Sequence, residues 1–494
     1  MFPIVFNSDS EQYIRTAYAI AGKSNGEFYY FRTWGYPLFL YFLGITSFKT
    51  FYIALFFQLL SSALIPALVY ATMVYIYPRA AVAAALITWI SFAPITLASV
   101  IMTDQMTMFF RFLLVYIASR HMFTSATNRD YVYLFAVGFI LYLMRPSDAL
   151  TFLIVPAALL LFRIGDWRKL ILIVALFFIS VTAFNHIKDK IAVRYTKAKH
   201  IVSTSVTGSM MGRMLFFNIY AVGPKLIGKP TLDIQNGPYS KKLVQTLIDW
   251  GKNNPLGVKL YTAQGFQSNP DIYKGVDSPE KFASALVAEQ GLWAHSVMWL
   301  ALDQSLGGYK ADNLFLRAAL ESYMANPMSL FLLYDGFVEF FFSGDVVYNS
   351  GKRMTWRIIE YASTSQPALS VYIPMNKDFH RKLRRELSKS SDRASPLIFP
   401  ISKFLFFWIT AIKILCVILA ICCLPANYAH SKNLACLASV LVAMLIYHAI
   451  VAVVFAAPHF RYILPQVPFI IMLSVLGIAS FNTLLSKRVS ISLV

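Results

Sequence analysis

The chain has 494 residues, of which 57% are hydrophobic, 16% aromatic and only 14% charged. An ordinary soluble domain carries about a quarter charged residues, so this composition points away from a water-soluble globular protein and toward the bilayer. The 44 Lys+Arg against 24 Asp+Glu give a net charge of +20, which fits cytoplasmic loops and anionic head groups or phosphates better than a nucleic-acid partner.

The first element begins at NSDSEQY. Ser8-x-x-Glu11 is a capping box, Asp9 stands in the first turn where the helix dipole favours an anion, and Tyr13, Ala17 and Ile20 share one face. Gly22 suits the helix end. Local grammar thus reads this stretch as a capped amphipathic helix at a membrane surface. A span needs roughly 20 mostly apolar residues, and apolar runs of about that order follow at 51–77, 80–101, 104–121, 131–145, 147–163 and 168–185. The runs that flank Arg145-Pro146 are short, which predicts tilted or shallow helices.

From 186 to 400 lies a long stretch of mixed polarity, read as an external domain. Within it, 278–302 has helical spacing with a start signal at Ser278, and 313–342 reads as a helix, a break at Asn326-Pro327 and a short apolar run. That run contains Asp335 and Glu339, so an interfacial helix is expected rather than a span. Apolar runs resume at 401–424, 433–457 and 462–481. The four cysteines, Cys416, Cys422, Cys423 and Cys436, all fall in these late segments and define no disulfide framework.

If residues 1–50 are outside, the short loops 77–80, 119–130, 163–169 and 426–432 fall inside with the tail 484–490, and every one carries Lys or Arg. The expectation is an all-α polytopic membrane protein with this division: 1–50 an external loop with an interfacial helix, 51–185 an N-terminal transmembrane bundle, 186–400 an external domain, and 401–494 the C-terminal transmembrane helices. The basic run Arg381, Lys382, Arg384 and Arg385 is then outside, as a solvated face or as an anchor for anionic lipid or a phosphorylated acceptor. Arg145 and Arg461 come to the outer face, where each meets a phosphate or pairs with a carboxylate; Asp148, three residues after Arg145, is the obvious partner. Arg111, Lys413 and His448 lie deeper, and intramembrane charge is costly. Arg111 stands seven residues past Asp104, roughly 10 Å along a helix and too far for a direct pair.

Several short stretches, taken in order, resemble the GT-C glycosyltransferases, in the branch that includes protein O-mannosyltransferases and the aminoarabinose transferases of lipid A. They are Asp9-Ser-Glu-Gln-Tyr13 with Ala17, Gly22 and Arg32-Thr-Trp-Gly-Tyr-Pro-Leu-Phe-Leu; Ser99-Val-Ile-Met-Thr103-Asp104; Leu143-Met-Arg145-Pro146; Leu320 to Phe342; and His459-Phe-Arg461-Tyr462-Ile-Leu-Pro465-Gln-Val-Pro468. Each is short, and together they cover most of the apolar part and little of 186–400. The resemblance implies a GT-C-type transmembrane bundle with a large external loop domain. It also implies an inverting transfer of a sugar from a polyprenyl-phosphate donor to an acceptor hydroxyl at the outer face of a bacterial or archaeal plasma membrane.

On that resemblance Asp9 matches the family's first acid, the general base, with Glu11 next in line and not separable from it by sequence. Asp104 matches the second acid, although Thr103-Asp104 is also a good helix start. Arg32 matches the basic residue ahead of the Pro helix and would meet the donor phosphate; a snorkelling interfacial Arg is its other reading. Arg145 and Arg461 join it as candidate phosphate ligands. No cofactor is required; acids at an outer site could hold a divalent ion, although no His stands at ligand spacing beside them. The implied partners are the lipid-linked donor, a glycan, lipid or protein acceptor, and membrane lipids. In the family a membrane helix precedes the first acid; MFPIVF looks like its last turn, so the chain is expected to begin late. A polymerase or ligase of lipid-linked glycans is the alternative enzyme, and a lipid or solute transporter or flippase the alternative of another class.

Overall fold

The structure is a computed structural model that describes residues 8–22, 34–44, 48–90, 103–124, 126–196, 212, 215, 216, 237–289, 292–325, 418, 431–451 and 466–478. The described residues are overwhelmingly helical and contain no strand. They belong to two compact units: Met1–Phe184 with Phe341–Ala449 and His459–Val494, and Asn185–Phe340 with Ile450–Pro458.

In the first unit the helices are α1 (Ser8–Ile20), α2 (Gly35–Phe42), α3 (Phe48–Ile76), α4 (Pro78–Ile90), α5 (Thr103–Phe123), α6 (Asn128–Met144) and α7 (Asp148–Leu161). To these it adds α8 (Trp167–Thr196) as far as Phe184. Among the described residues, three helices are long and apolar enough to cross a membrane: Tyr52–Ile76 within α3, Trp167–Lys188 within α8, and Lys432–Ile450. Pro78–Ile90, Asp148–Leu161 and Val467–Ile478 are shorter apolar helices.

The pattern of burial on α3 reverses that of a soluble helix. Gln58, Ser61, Ser62 and Thr72 are buried, whereas Phe56, Phe57, Leu60 and Leu64 are exposed. α4 likewise buries Ala81, Ala84 and Thr88 and exposes Val82, Leu86, Ile87 and Trp89. Small and polar residues let helix backbones approach, and the apolar side chains are left for an apolar surrounding. The buried hydroxyls are satisfied inside their own helices, as in Ser61 to Phe57 O (2.7 Å), Thr88 to Ala84 O (2.8 Å) and Thr107 to Thr103 O (2.8 Å).

Glycines set two close approaches. A Cβ on Gly35 would lie 2.4 Å from Leu143 O, so the start of α2 rests directly on the end of α6. A Cβ on Gly138 would lie 2.2 Å from Phe152, which packs α6 on α7. The helix Lys432–Ile450 (α15 below) begins at the end of the unit that holds Arg163 and Met122, because Lys432 Nζ donates to Arg163 O (3.2 Å) and Asn433 Nδ2 to Met122 O (2.5 Å). Phe469 of Val467–Ile478 (α16 below) stacks on Phe112 of α5 at 4.3 Å.

The second unit holds α9 (Pro238–Asn253), α10 (Pro255–Ser268), α11 (Pro270–Tyr273), α12 (Pro279–Glu289), α13 (Leu292–Leu306) and α14 (Gly308–Ala325); α15 is Lys432–Ile450 and α16 Val467–Ile478. Phe216, Leu247, Phe282, Leu286, Met298, Leu302 and Phe315 are in one apolar core. Glu321 of α14 accepts from the N–H groups of Tyr239 and Ser240 at 2.9 Å each, and so satisfies the free donors at the start of α9. Gly237 leaves room for this contact: a Cβ there would lie 2.2 Å from Glu321 Oε2 and displace the carboxylate. The expected start at Ser278 is present: its Oγ accepts from Lys281 N–H at 3.2 Å. α14 is described as far as Ala325, and the expected break at Asn326-Pro327 lies outside the described residues. The apolar run after it, the basic run at Arg381–Arg385 and most of the 401–424 segment lie outside the described residues.

Candidate functional site

The described part of the site is built where α1, α2, α5, α6 and α7 bring helix ends together. α5 opens at Thr103 and puts Asp104 in its first turn. The Tyr13 hydroxyl of α1 hydrogen-bonds the Thr103 hydroxyl at 3.3 Å, and the Tyr13 ring meets Tyr36 of α2 edge-on with centroids 5.3 Å apart. Tyr36 in turn donates to Gln58 of α3 at 2.5 Å. Both tyrosines are buried, so their polar ends need these partners.

Asp9 and Glu11 have backbones in α1, Asp9 one helical turn before Tyr13. Their side chains, and all of Arg32 and Arg461, lie outside the described atoms. Gly22 closes α1 with φ +70°, and its N–H donates to Ala19 O at 3.0 Å.

Arg145 follows the last residue of α6, in the tight turn Arg145-Pro146-Ser147 that leads into α7, where Asp148 N–H donates to Arg145 O at 2.9 Å. Its Nη1 donates to Asp104 Oδ1 at 3.1 Å. Asp104 is 5% exposed in its side chain and Arg145 21%, so the pair stands at the edge of the buried region. The expected partner, Asp148, is not the one used. Asp148 is fully buried, and Arg111 holds it in a two-bond fork, Nε to Oδ1 at 2.7 Å and Nη2 to Oδ2 at 3.0 Å. Thr151 Oγ1 also donates to Asp148 Oδ1 at 3.0 Å, and His448 Nε2 lies 3.5 Å from the same oxygen. Oδ1 is thereby fully engaged and the carboxylate is buried, while Arg145, one turn earlier, reaches across to α5.

Arg111 and Asp104 make no direct pair, in agreement with their spacing along the helix. His448 is the deep ionisable residue that the structure brings into this group, and its Nδ1 meets Met444 O at 2.6 Å. Its neighbour Tyr447 donates to Ser147 O at 2.5 Å, which fastens the Arg145-Pro146 turn to α15. Lys413 lies outside the described residues.

Gln105, next to Asp104, is a residue that the sequence did not single out. Its amide is fully buried, and neither its oxygen nor its nitrogen has a hydrogen-bond partner among the described residues. An unmet buried amide costs about 1–3 kcal/mol per group. Its only signal in the sequence is a polar residue inside an otherwise apolar helix start. Among the described residues no group of three His, Cys, Asp or Glu could hold a metal ion. No family model, curated protein or solved structure matches the chain.

Proposed function

We propose that the chain is a multi-pass membrane glycosyltransferase of GT-C type, working at the outer face of the plasma membrane on a polyprenyl-phosphate sugar. The observation that carries this reading is convergence. Three stretches far apart in sequence, around Tyr13, Thr103-Asp104 and Arg145-Pro146, are the ones on which the resemblance rests, and they are joined by the Tyr13–Thr103 and Arg145–Asp104 contacts at 3.3 and 3.1 Å. A polyprenyl-linked sugar has its phosphate at the membrane–water boundary, where helix ends belong.

In the proposed step the acceptor oxygen attacks the anomeric carbon as the bond from that carbon to the phosphate oxygen breaks. The acceptor proton passes to a carboxylate, with Asp9 as base and Glu11 the alternative, and polyprenyl phosphate leaves as an anion. A well-placed general base contributes about 10²–10⁴-fold to such a step. Asp104, already held by Arg145, orients the base or the acceptor. Arg32, Arg145 and Arg461 are the proposed partners of the departing phosphate, whose charge guanidinium groups can fork without a metal. A sugar hydroxyl is the kind of group that would satisfy Gln105.

The test is sugar transfer from a defined polyprenyl-phosphate sugar by the purified full chain, with Asp9→Asn and Asp104→Asn alongside. Loss of about 10² or more in turnover for Asp9→Asn is expected; undiminished turnover removes Asp9 from the role of base. A transporter or flippase is the second reading, favoured by the buried Arg111–Asp148–His448 group. Flux of lipid-linked sugar without transfer would select it.

A further inference from the structure

In the second unit, α10 is apolar on two opposite faces. Val258, Tyr261 and Gly265 turn toward the core, where Tyr261 packs against the core and a Cβ on Gly265 would meet the Tyr273 ring at 2.7 Å. On the outer side Leu256 is 83% exposed, Leu260 55% and Phe266 47%. Leu256 and Leu260 stand one turn apart, and Ala263, also exposed, continues their line. A surface helix in water keeps its outer face polar, and an apolar face of this kind marks a contact.

Beside this face is a cavity of about 590 Å³, within the range of small-molecule sites. Its walls include Val258, Phe266, Tyr273 and Val276; Lys252 and Lys259 also line it, as does Asp277, whose charge Lys281 meets at 2.8 Å. Lys252 pairs with Glu280 at 3.3 Å, both side chains more than half exposed, so that pair is weak and exchangeable. No acid pairs with Lys259 among the described residues. Apolar walls with ammonium groups beside them suit an amphiphile with an anionic head: the stem of each lysine lies along apolar surface while the charge reaches out.

We propose that α10 is a docking element for an anionic phospholipid surface. The face of Leu256, Leu260 and Phe266 enters the interface, Lys252 and Lys259 meet head-group phosphates, and the cavity accepts part of one lipid. Charge complementarity selects this occupant over an apolar protein face, and helices long enough to cross a bilayer in the same chain keep that surface within reach of the domain. The inference is independent of the glycosyltransferase reading.

The test uses the full chain in vesicles of phosphatidylglycerol or of phosphatidylcholine, with a nitroxide on Leu260→Cys and, as an aqueous control, on exposed Lys241→Cys. The unsubstituted chain, labelled in parallel, reports any signal from the native cysteines. In phosphatidylglycerol the Leu260→Cys label should relax more with oxygen than with a water-soluble nickel chelate, and the control should do the reverse. Adding Lys252→Ala and Lys259→Ala should weaken that preference, by about fivefold per lysine at low salt. All these side chains are exposed, so folding should be unaltered. Nickel preference at Leu260→Cys in both vesicles would overturn the proposal. Shielding from both reagents would also overturn it, since a protein then covers the face. Equal oxygen preference in both lipids, unmoved by the lysine changes, would overturn its anionic part.

Discussion

Arg145 stands three residues from one acid and forty-one from another, and it bonds the distant one. The reason lies in Asp148 rather than in Arg145. Asp148 opens α7 fully buried, where an unpaired carboxylate is untenable, and the Arg111 fork with Thr151 already supplies three hydrogen bonds and a compensating charge. The pair is worth little as net stability, but breaking one half of it strands the other charge. Arg111→Met alone should therefore lower stability by about 3–5 kcal/mol, whereas Arg111→Met with Asp148→Leu should recover most of that loss. Thermal unfolding in detergent, followed by helical circular dichroism, measures both. A single variant as stable as the parent would mean that Asp148 finds another partner or takes up a proton. Sequence spacing named Arg111 and His448 as costly buried groups, yet it could not pair them, because their partner sits 37 residues from one and 300 from the other on separate helices.

At the scale of elements, the close contact between α2 and α6 fixes where the Arg145 turn begins. The added methyl of Gly35→Ala would meet a backbone carbonyl at 2.4 Å, and backbone cannot yield as a flexible side chain does. The variant should lower the unfolding midpoint, and it should also cut turnover in the transfer assay more than Ala→Gly changes on exposed helix faces; a neutral Gly35→Ala would show that α2 can slide without disturbing the turn. In the second unit, the Tyr273 hydroxyl of α11 donates to Glu289 Oε2 at 2.6 Å at the end of α12. Burial raises the Glu289 carboxyl above its ordinary value, and the Tyr273 bond opposes that only in part. A raised acid contributes stability that is full below the unfolded value near 4.5 and is lost as pH rises through the folded value. Glu289→Gln keeps an acceptor for Tyr273 and removes the ionisation. It should therefore raise stability at neutral pH and flatten the pH dependence above about 4.5, as read from Trp250 fluorescence. An equal loss at every pH would show that the charged hydrogen bond matters more than the burial. Helix starts and stops such as Ser278 and Gly22 were legible because a cap is a local matter. The role of Gly35 was not, because it depends on which helix lies across from it.

For the whole molecule, the open matter is sidedness. In the first unit one end gathers Tyr13, Asp104, Arg145 and the Ser147–Tyr447 bond, and the other gathers Arg120, Arg163, Lys169 and Lys432. Charge in the short loops points to the same grouping, since alternate loops of a multi-pass chain share a side. The bond from Lys432 to Arg163 O adds a constraint that loop charge could not supply. It returns the chain after residue 431 to the end where Arg163 lies, as expected when an even number of crossings separates the two. On the orientation expected from loop charge, the Arg163 end is cytoplasmic, and residues 1–50 and the 186–400 stretch are outside. On intact cells an impermeant maleimide should label Lys241→Cys on α9 and leave Ala126→Cys, between α5 and α6, unlabelled until the membrane is opened. Both positions are exposed in the fold, so lack of labelling reports the membrane and not burial. The reverse pattern would put Asp104 and Arg145 in the cytoplasm, where the polyprenyl-phosphate donor of the proposed reaction would have to be met before it crosses the bilayer.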